Sequence, residues 1–292
     1  MPIKPLGFIG LGQMGVPMAA NLLAAGHAVL GFDANPDAAP SLRAQERFTW
    51  ANGALELASA TDIVIFMLPD SSIVDQLLWG DGFAARMPRG ALLIDMGSSD
   101  PMHSKVNAEK LAALGIRFVD APVSGGVKRA VNGSLAIMMG GEAEAVEAAR
   151  PLLGSLGKTL VHVGSAGAGH AVKALNNYVS AAGLLAVCEA LTAAEKFGID
   201  PKVVNQVMNA STGKNNTTEN KVEPFILSGA FNSGFALSLM RKDLETAGNF
   251  IAAMQSPGGF AQACIAQWRD AERGLGKGAD HTAMYAHVHA GK

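Results

Sequence analysis

What most constrains this chain is an alternation that runs to about residue 165 and then stops. The short apolar runs LGFIG (6–10), AVLGF (28–32), DIVIFML (62–68), ALLIDM (91–96), IRFVD (116–120), LAIMM (135–139) and TLVHV (159–163) read as strands. Between most of them lie helical stretches, such as 13–26 and 102–115. Both of these end in glycine, the residue favoured just past a helix end, and Pro17 falls in a first turn, where its missing N–H costs little. Strand–helix–strand repetition predicts a mostly parallel sheet covered on both faces. GSAGAG (164–169) then forms a junction of small residues, and no strand is predicted after it. Residues 170–197 are rich in Ala and Leu at helical spacing, stop at Gly198, and are followed by helical segments 201–211, 238–255 and around 257–275. The expectation is an α/β domain over residues 1–165 and an all-α domain over 166–292, joined by a long helix.

The first turn of the alternation carries a pattern with a mechanism. Gly10-Leu11-Gly12-Gln13-Met14-Gly15 is G-x-G-x-x-G, preceded by a predicted strand and followed by a predicted helix, with Asp33 closing the next strand. In that context the glycines serve a tight turn, a close approach of backbone to a pyrophosphate, and close helix–strand packing. The helix N-terminus then faces the negative charge. The alternative is a glycine-rich turn with no ligand. An acid at position 33 accepts hydrogen bonds from ribose hydroxyls and repels a 2′-phosphate, and Ala34 follows rather than an arginine, so NAD is expected over NADP. Two further strand ends, Met67-Leu68-Pro69-Asp70 and Met96-Gly97-Ser98-Ser99, are expected to line the same crevice, unless they are simple turns.

Two other clusters carry chemistry. DAPVSGG (120–126) follows a predicted strand, and Ser124, Gly125 and Gly126 offer a hydroxyl and consecutive backbone N–H groups to a small carboxylate. The bland alternative is a glycine-containing turn. In GAGHAVKALNN (167–177), Lys173 and Asn177 are four residues apart and share a helix face. A lysine among Ala, Val and Leu is either a snorkelling structural residue or a desolvated one whose pKa falls towards neutrality, as a general acid/base requires.

Composition excludes other classes. The chain has 292 residues, is 49% hydrophobic and 16% charged, and has a formal charge of −2, so nothing suggests a nucleic acid or an anionic membrane as partner. The longest charge-free helical run, between Lys173 and Glu189, is too short to span a bilayer. The N-terminal apolar run is broken by glycines and lacks the small-residue cleavage pattern of a signal peptide. Two distant cysteines suit a reducing cytoplasm rather than a disulfide framework. No carboxylate–histidine set has metal spacing, and His281, His287 and His289 read as a surface tail. Trp50, Trp79 and Trp268 read as packing residues.

Taken in order, GFIGLGQMGVPMAANL (7–22), FVDAPVSGG (118–126), GAGHAVKALNN (167–177) and MRKDL (240–244) resemble the β-hydroxyacid dehydrogenase family over essentially the whole chain. The resemblance implies a Rossmann-type dinucleotide-binding domain, a long interdomain helix and a C-terminal all-α domain, usually in a homodimer or homotetramer. It implies reversible oxidation of the hydroxyl of a small carboxylate-bearing 3-hydroxy acid. Carried over by residue, Lys173 is the general acid/base and Asn177 positions the reacting oxygen. Ser124, Gly125 and Gly126 bind the carboxylate, Ser98 lies near nicotinamide and substrate, and Lys242 and Asp243 form a pair near the cofactor. Two departures stand out. Gly97-Ser98-Ser99-Asp100 replaces a Ser-Thr-Ile-Ser run common in the family. The polar stretch 211–221 lacks the Asn-Trp of branched-chain members, which suits a hydroxylated or doubly anionic substrate better, unless the stretch is simply a solvated helix linker. The competing readings are a non-catalytic dinucleotide-binding module and an imine reductase of the same architecture, in which the lysine is typically missing.

Overall fold

The computed structural model describes residues 4–291. The chain divides into two compact units, Met1–Lys173 and Ala174–Lys292.

The first unit is built on one sheet: β1 (Leu6–Ile9), β2 (Val29–Phe32), β3 (Phe48–Trp50), β4 (Ile63–Phe66), β5 (Leu92–Asp95), β6 (Arg117–Asp120), β7 (Val123–Ser124), β8 (Leu135–Gly141) and β9 (Gly157–Gly164). Six strands run parallel in the order β3-β2-β1-β4-β5-β6. The order reverses between β1 and β4, and in such sheets a crevice opens outside the carboxyl ends at that point. Side chains alternate across the sheet, as the strand period requires. Phe8, Ile65, Leu92, Ile94 and Val119 enter one core with α1 (Gly15–Ala24). Ile9, Val64, Phe66, Leu93 and Phe118 enter a second core with α2 (Ala54–Ala60) and α3 (Pro101–Ala113). Both faces are therefore covered, as the near-continuous apolar strands predict. The helix α4 (Ala143–Leu153) adds Ala145, Val146, Ala149, Leu152 and Leu153 to the first core.

The sheet ends differently from the expected simple alternation. β6 and β7 both pair antiparallel with β8 in one continuous register: Val119 opposite Gly141, and Val123 opposite Ile137. The break between them is Ala121-Pro122, where proline has no N–H to give. Its carbonyl still accepts from Met138 N at 3.1 Å, so the ladder continues. Residues 120–124 are thus a kinked strand rather than a free loop, and Ser124 is held by the sheet.

The second unit is helical. It is entered along α5 (Ala168–Phe197), which runs through the division at Lys173, and continues with α6 (Pro201–Asn209), α7 (Asn216–Asn220), α8 (Leu237–Ala253) and α9 (Gly259–Leu275). Its core gathers Leu184, Leu185, Cys188 and Leu191 from α5 with Met240, Leu244, Ile265 and Trp268. Over its full 30 residues α5 is long and apolar enough to cross a membrane by length and composition; counting only its charge-free run hid this. Half of its most apolar stretch is buried inside the protein, as in the core helix of a globular domain.

The C-terminal histidines are not a surface tail. His281 and His287 are buried, and only His289 is substantially exposed. The Asp280 carboxylate beside His281 accepts from Ser233 Oγ and Gly234 N, contacts from distant sequence that carry the segment inward, and caps the following turn through Thr282 N.

Candidate active site

The glycine turn is shaped by contacts that only glycine permits. Gly10 follows β1 with φ +97°, and a Cβ there would lie 2.3 Å from the Met67 carbonyl oxygen. A Cβ on Gly15, which opens α1, would lie 1.9 Å from the Gly10 carbonyl oxygen. Gly12 is the opposite case: a Cβ there meets no atom of the described residues within 4 Å. Two glycines hold the turn shut against the sheet, and the third leaves its backbone bare towards open space. That is the cradle a pyrophosphate needs. Asp33, at the end of β2, accepts from Leu11 N at 2.7 Å through Oδ2 and from Asn35 N at 2.8 Å through Oδ1, which fixes the carboxylate beside the turn. Each carboxylate oxygen has capacity for a further donor. Gln13 is exposed and Met14 half-buried at the start of α1.

The two neighbouring strand ends meet at this edge. Met67 N donates to Ile9 O and Met96 N to Phe66 O. A Cβ on Gly97 would lie 2.5 Å from the Leu68 carbonyl oxygen, so the turn Met67-Leu68-Pro69 and the turn bearing Ser98 pack backbone to backbone. Asp95 anchors the second turn, accepting from Gly97 N at 3.0 Å and Ser99 Oγ at 2.8 Å. Ser98 itself is half-buried.

The two clusters that were far apart in sequence come together in the first unit. Lys173 Nζ donates to the Val123 carbonyl oxygen at 2.7 Å, placing the lysine against the strand that bears Ser124. Gly125 and Gly126 follow with φ +133° and +65°, both exposed, and open a short helix, Gly126–Val131. Behind them Asp120 is fully buried and accepts from Gly167 N and His170 N. Burial pushes its carboxyl above the usual range, and the neighbouring Asp95 charge adds to this, while His170 and the two backbone donors oppose it.

One turn beyond Lys173, Asn177 is buried in the second unit. Its Nδ2 donates to Asp243 Oδ2 at 2.6 Å, and its Oδ1 accepts from Asn176 at 3.1 Å. Lys242 Nζ lies 3.9 Å from Asp243 Oδ1. The MRKDL motif is thus joined to the lysine–asparagine helix by a charge-assisted hydrogen bond, a link with no local sequence signal.

Family models match both parts of the chain. Residues 5–164 match the NAD binding domain of 6-phosphogluconate dehydrogenase, and residues 167–288 match the NAD-binding region of NADP-dependent 3-hydroxyisobutyrate dehydrogenase. The chain is 39% identical to 2-(hydroxymethyl)glutarate dehydrogenase of Eubacterium barkeri over 243 residues, covering 83% of this chain and 80% of that protein. The chain belongs to the β-hydroxyacid dehydrogenase family. Another member, 3-hydroxyisobutyrate dehydrogenase of Pseudomonas aeruginosa, is 39% identical over 249 residues, covering 83% of each chain. The structure of Mycobacterium tuberculosis 3-hydroxyisobutyrate dehydrogenase with L-serine superposes with a TM-score of 0.90 at 31% identity, covering 98% of this chain and 99% of that one. The β-hydroxyacid dehydrogenase here is accordingly an NAD(P)-dependent oxidoreductase of the hydroxyacid dehydrogenase class.

In this β-hydroxyacid dehydrogenase the polar stretch 211–221 spends much of its polarity on itself. Asn215 caps α7, accepting from Thr217 N and Thr218 N while Thr218 Oγ1 accepts from Asn215 N. Lys214 pairs with Glu219, and Thr217 and Thr218 are buried. Capping chemistry explains these residue types without a polar substrate. The sequence alone assigned no role to Asp95, Ser104 or His170, and placed Ser99 only at a strand end. Their one visible signal is that Asp95 and Asp120 each close an apolar strand, a pairing that becomes informative once β5 and β6 are known to be neighbours.

Proposed function

We propose that this enzyme uses NAD to oxidise the hydroxyl of a small 3-hydroxy acid reversibly to the aldehyde or ketone, with Lys173 as general acid/base. The observation that carries the reading is the bond from Lys173 Nζ to Val123 O, one residue before Ser124. A carbonyl oxygen only accepts, so it takes one N–H and holds Nζ beside the strand that bears Ser124. In its neutral form the amine receives the hydroxyl proton in oxidation, and the ammonium returns it in reduction. Ser124 Oγ and the N–H groups of Gly125 and Gly126 hold the substrate carboxylate, which fixes the reacting carbon by anchoring its neighbour. Asn177, oriented by Asp243, has a second N–H for the substrate oxygen. Ser98 lines the same edge.

NAD, when bound, supplies the hydride acceptor. Gly10, Leu11, Gly12, Gln13, Met14 and Gly15 would receive its pyrophosphate, Asp33 its adenosine ribose, and Met67, Leu68 and Pro69 would flank it; Lys242 and Asp243 are assigned to the cofactor by the family resemblance alone. Asp33 favours NAD over NADP because its fixed charge repels a 2′-phosphate. The partner is a small carboxylate-bearing molecule, and the assembly is a cytoplasmic homodimer or homotetramer.

The test is NADH formation by the purified protein with 3-hydroxyisobutyrate, 2-(hydroxymethyl)glutarate, 3-hydroxypropionate, glycerate, serine, threonate and 4-hydroxybutyrate, with NAD and NADP in parallel. Turnover of one or more with NAD supports the reading. NAD binding with silence across the panel favours a non-catalytic binder, and reduction of a cyclic imine in its place favours the imine reductase alternative.

A further inference from the structure

His170 has no part in the chemistry above, yet its side chain is sealed among ionisable groups. Asp95 and Asp120 are register partners on the neighbouring parallel strands β5 and β6, with 1% and 0% exposure. The His170 ring, itself fully buried, lies near both: Nε2 is 3.9 Å from Asp95 Oδ2, and Nδ1 is 3.7 Å from Asp120 Oδ2. Nδ1 also meets Ser104 Oγ of α3 at 2.7 Å. The Ser104 hydroxyl donates to Asp100 O at 3.1 Å, so it is an acceptor towards the ring, and Nδ1 carries a hydrogen. Nε2 then faces a carboxylate oxygen, with no hydrogen-bond partner among the described residues, in a place closed to water. Two carboxylates and an imidazole lone pair sealed together without a proton between them would be costly. Burial raises the Asp120 carboxyl, which favours a proton there and relieves the crowding.

The cluster sits where the catalytic helix begins. Asp120 accepts from Gly167 N at 2.7 Å and His170 N at 2.8 Å, capping the first turn of α5 from a strand rather than from the helix's own sequence. Three residues after Asp120, Val123 O holds Lys173. The first turn of α5 is therefore pinned twice to one kinked strand, and the ring adds a third tie, to α3. There is no slack around Asp120. A Cβ on Gly140 would lie 2.5 Å from its Oδ1, and one on Gly169 would lie 2.8 Å from its Oδ2.

We propose that His170 is a positioning residue for the reaction: its imidazole, wedged by Asp95 and Asp120, sets the seat of the first turn of α5 against β6 and through it the place of Lys173 Nζ beside Ser124. This rests on the reading of Lys173 as acid/base. A shift of the turn by an ångström moves the amine off its hydroxyl, and misplacement of that size costs on the order of 100-fold in rate. The effect falls on kcat, because the cofactor turn at Gly10–Gly15 lies on other elements.

The experiment compares His170→Ala, His170→Gln, Lys173→Ala and the double variant His170→Ala/Lys173→Ala. It uses the best substrate of the panel and measures amide hydrogen exchange alongside. His170→Ala is expected to lower kcat about 10- to 100-fold with the NAD Kd unchanged. His170→Gln, whose side-chain amide donates to Ser104, is expected to recover most of that loss. The double variant is expected to be no slower than Lys173→Ala, because His170 acts through the lysine. Exchange at the Gly167 and residue 170 amides is expected to quicken at least about tenfold in His170→Ala and to stay at the wild-type rate in Lys173→Ala. Wild-type kcat in His170→Ala, losses that add in the double variant, or unchanged exchange at the first turn each overturn the proposal. Full turnover by Lys173→Ala overturns the acid/base reading, while the exchange experiment still decides the positioning role.

Discussion

One methyl group placed at two glycines of the same turn is expected to have opposite consequences. At Gly15 a Cβ would stand 1.9 Å from the Gly10 carbonyl oxygen and 3.2 Å from Phe8 Cε1. Backbone is the obstacle, and it cannot swing aside as a side chain can, so α1 must move off the sheet. Overpacking of this kind costs about 1–3 kcal/mol, which lowers Tm by roughly 2–10 °C for a unit of this size. At Gly12 a Cβ meets nothing among the described residues within 4 Å, and the backbone is outside the left-handed region. Gly12→Ala therefore gains about 0.4–1 kcal/mol from the stiffer unfolded chain, and Tm holds or rises slightly. In the proposed cofactor site the open space at Gly12 is where the pyrophosphate would come closest, so the methyl group is expected to weaken NAD binding about 10- to 100-fold, roughly 1.4–2.7 kcal/mol. Differential scanning calorimetry and titration calorimetry with NAD read the two effects separately. Wild-type NAD affinity in Gly12→Ala, or a Tm as low as that of Gly15→Ala, would refute the assignment of that space to the cofactor.

Three further predictions follow from named contacts. Asp33→Ser removes the charge that repels a 2′-phosphate, so the ratio of kcat/KM with NAD to that with NADP is expected to fall at least about tenfold; a constant ratio would contradict the role of Asp33. Asp243→Asn replaces the charge-assisted bond of 2.6 Å that orients Asn177, and kcat is expected to fall about tenfold with Tm nearly unchanged; a purely thermal effect would make the pair structural. Burial holds His281 down at about 4, with the Lys221 charge adding to this and Asp280 opposing it. The unfolded chain then takes a proton below about pH 6.5 that the folded chain declines. Stability is fully present above that pH and is lost as pH falls to about 4, by up to about 3 kcal/mol. Tm measured between pH 7.5 and 4.5 is expected to fall less steeply in His281→Gln than in the wild type, and identical slopes would contradict this.

Much of the fold was legible because its signals are local. The apolar strands, the glycine turn with Asp33, and the α5 run ending at Gly198 follow from residue types at short spacing. β3 was missed because Phe48-Thr49-Trp50 is too short to show a period and is a strand only through pairing with β2. The DAPVSGG stretch read as a loop because proline and glycine punctuate it, but a kinked strand absorbs the proline by using only its carbonyl. The site divided the same way. Lys173 and Asn177 stood out through their four-residue spacing, whereas the Asn177–Asp243 bond spans 66 residues and the Asp120–His170 contact spans 50. The C-terminal histidines misled for the same reason. Their spacing resembles a polar tail, whereas His281 is buried beside Asp280, which is tied to residues 233–235, and His287 is buried against the α9 residues Asp270 and Gly274.

The most direct test of the account is Lys173→Ala, assayed in steady state for hydroxy-acid oxidation and by calorimetry for NAD. A positioned general acid/base contributes about 10²- to 10⁴-fold, so kcat is expected to drop by that factor while the NAD Kd stays within about twofold of wild type. A variant that turns over at the wild-type rate would contradict the assignment of proton transfer to this lysine.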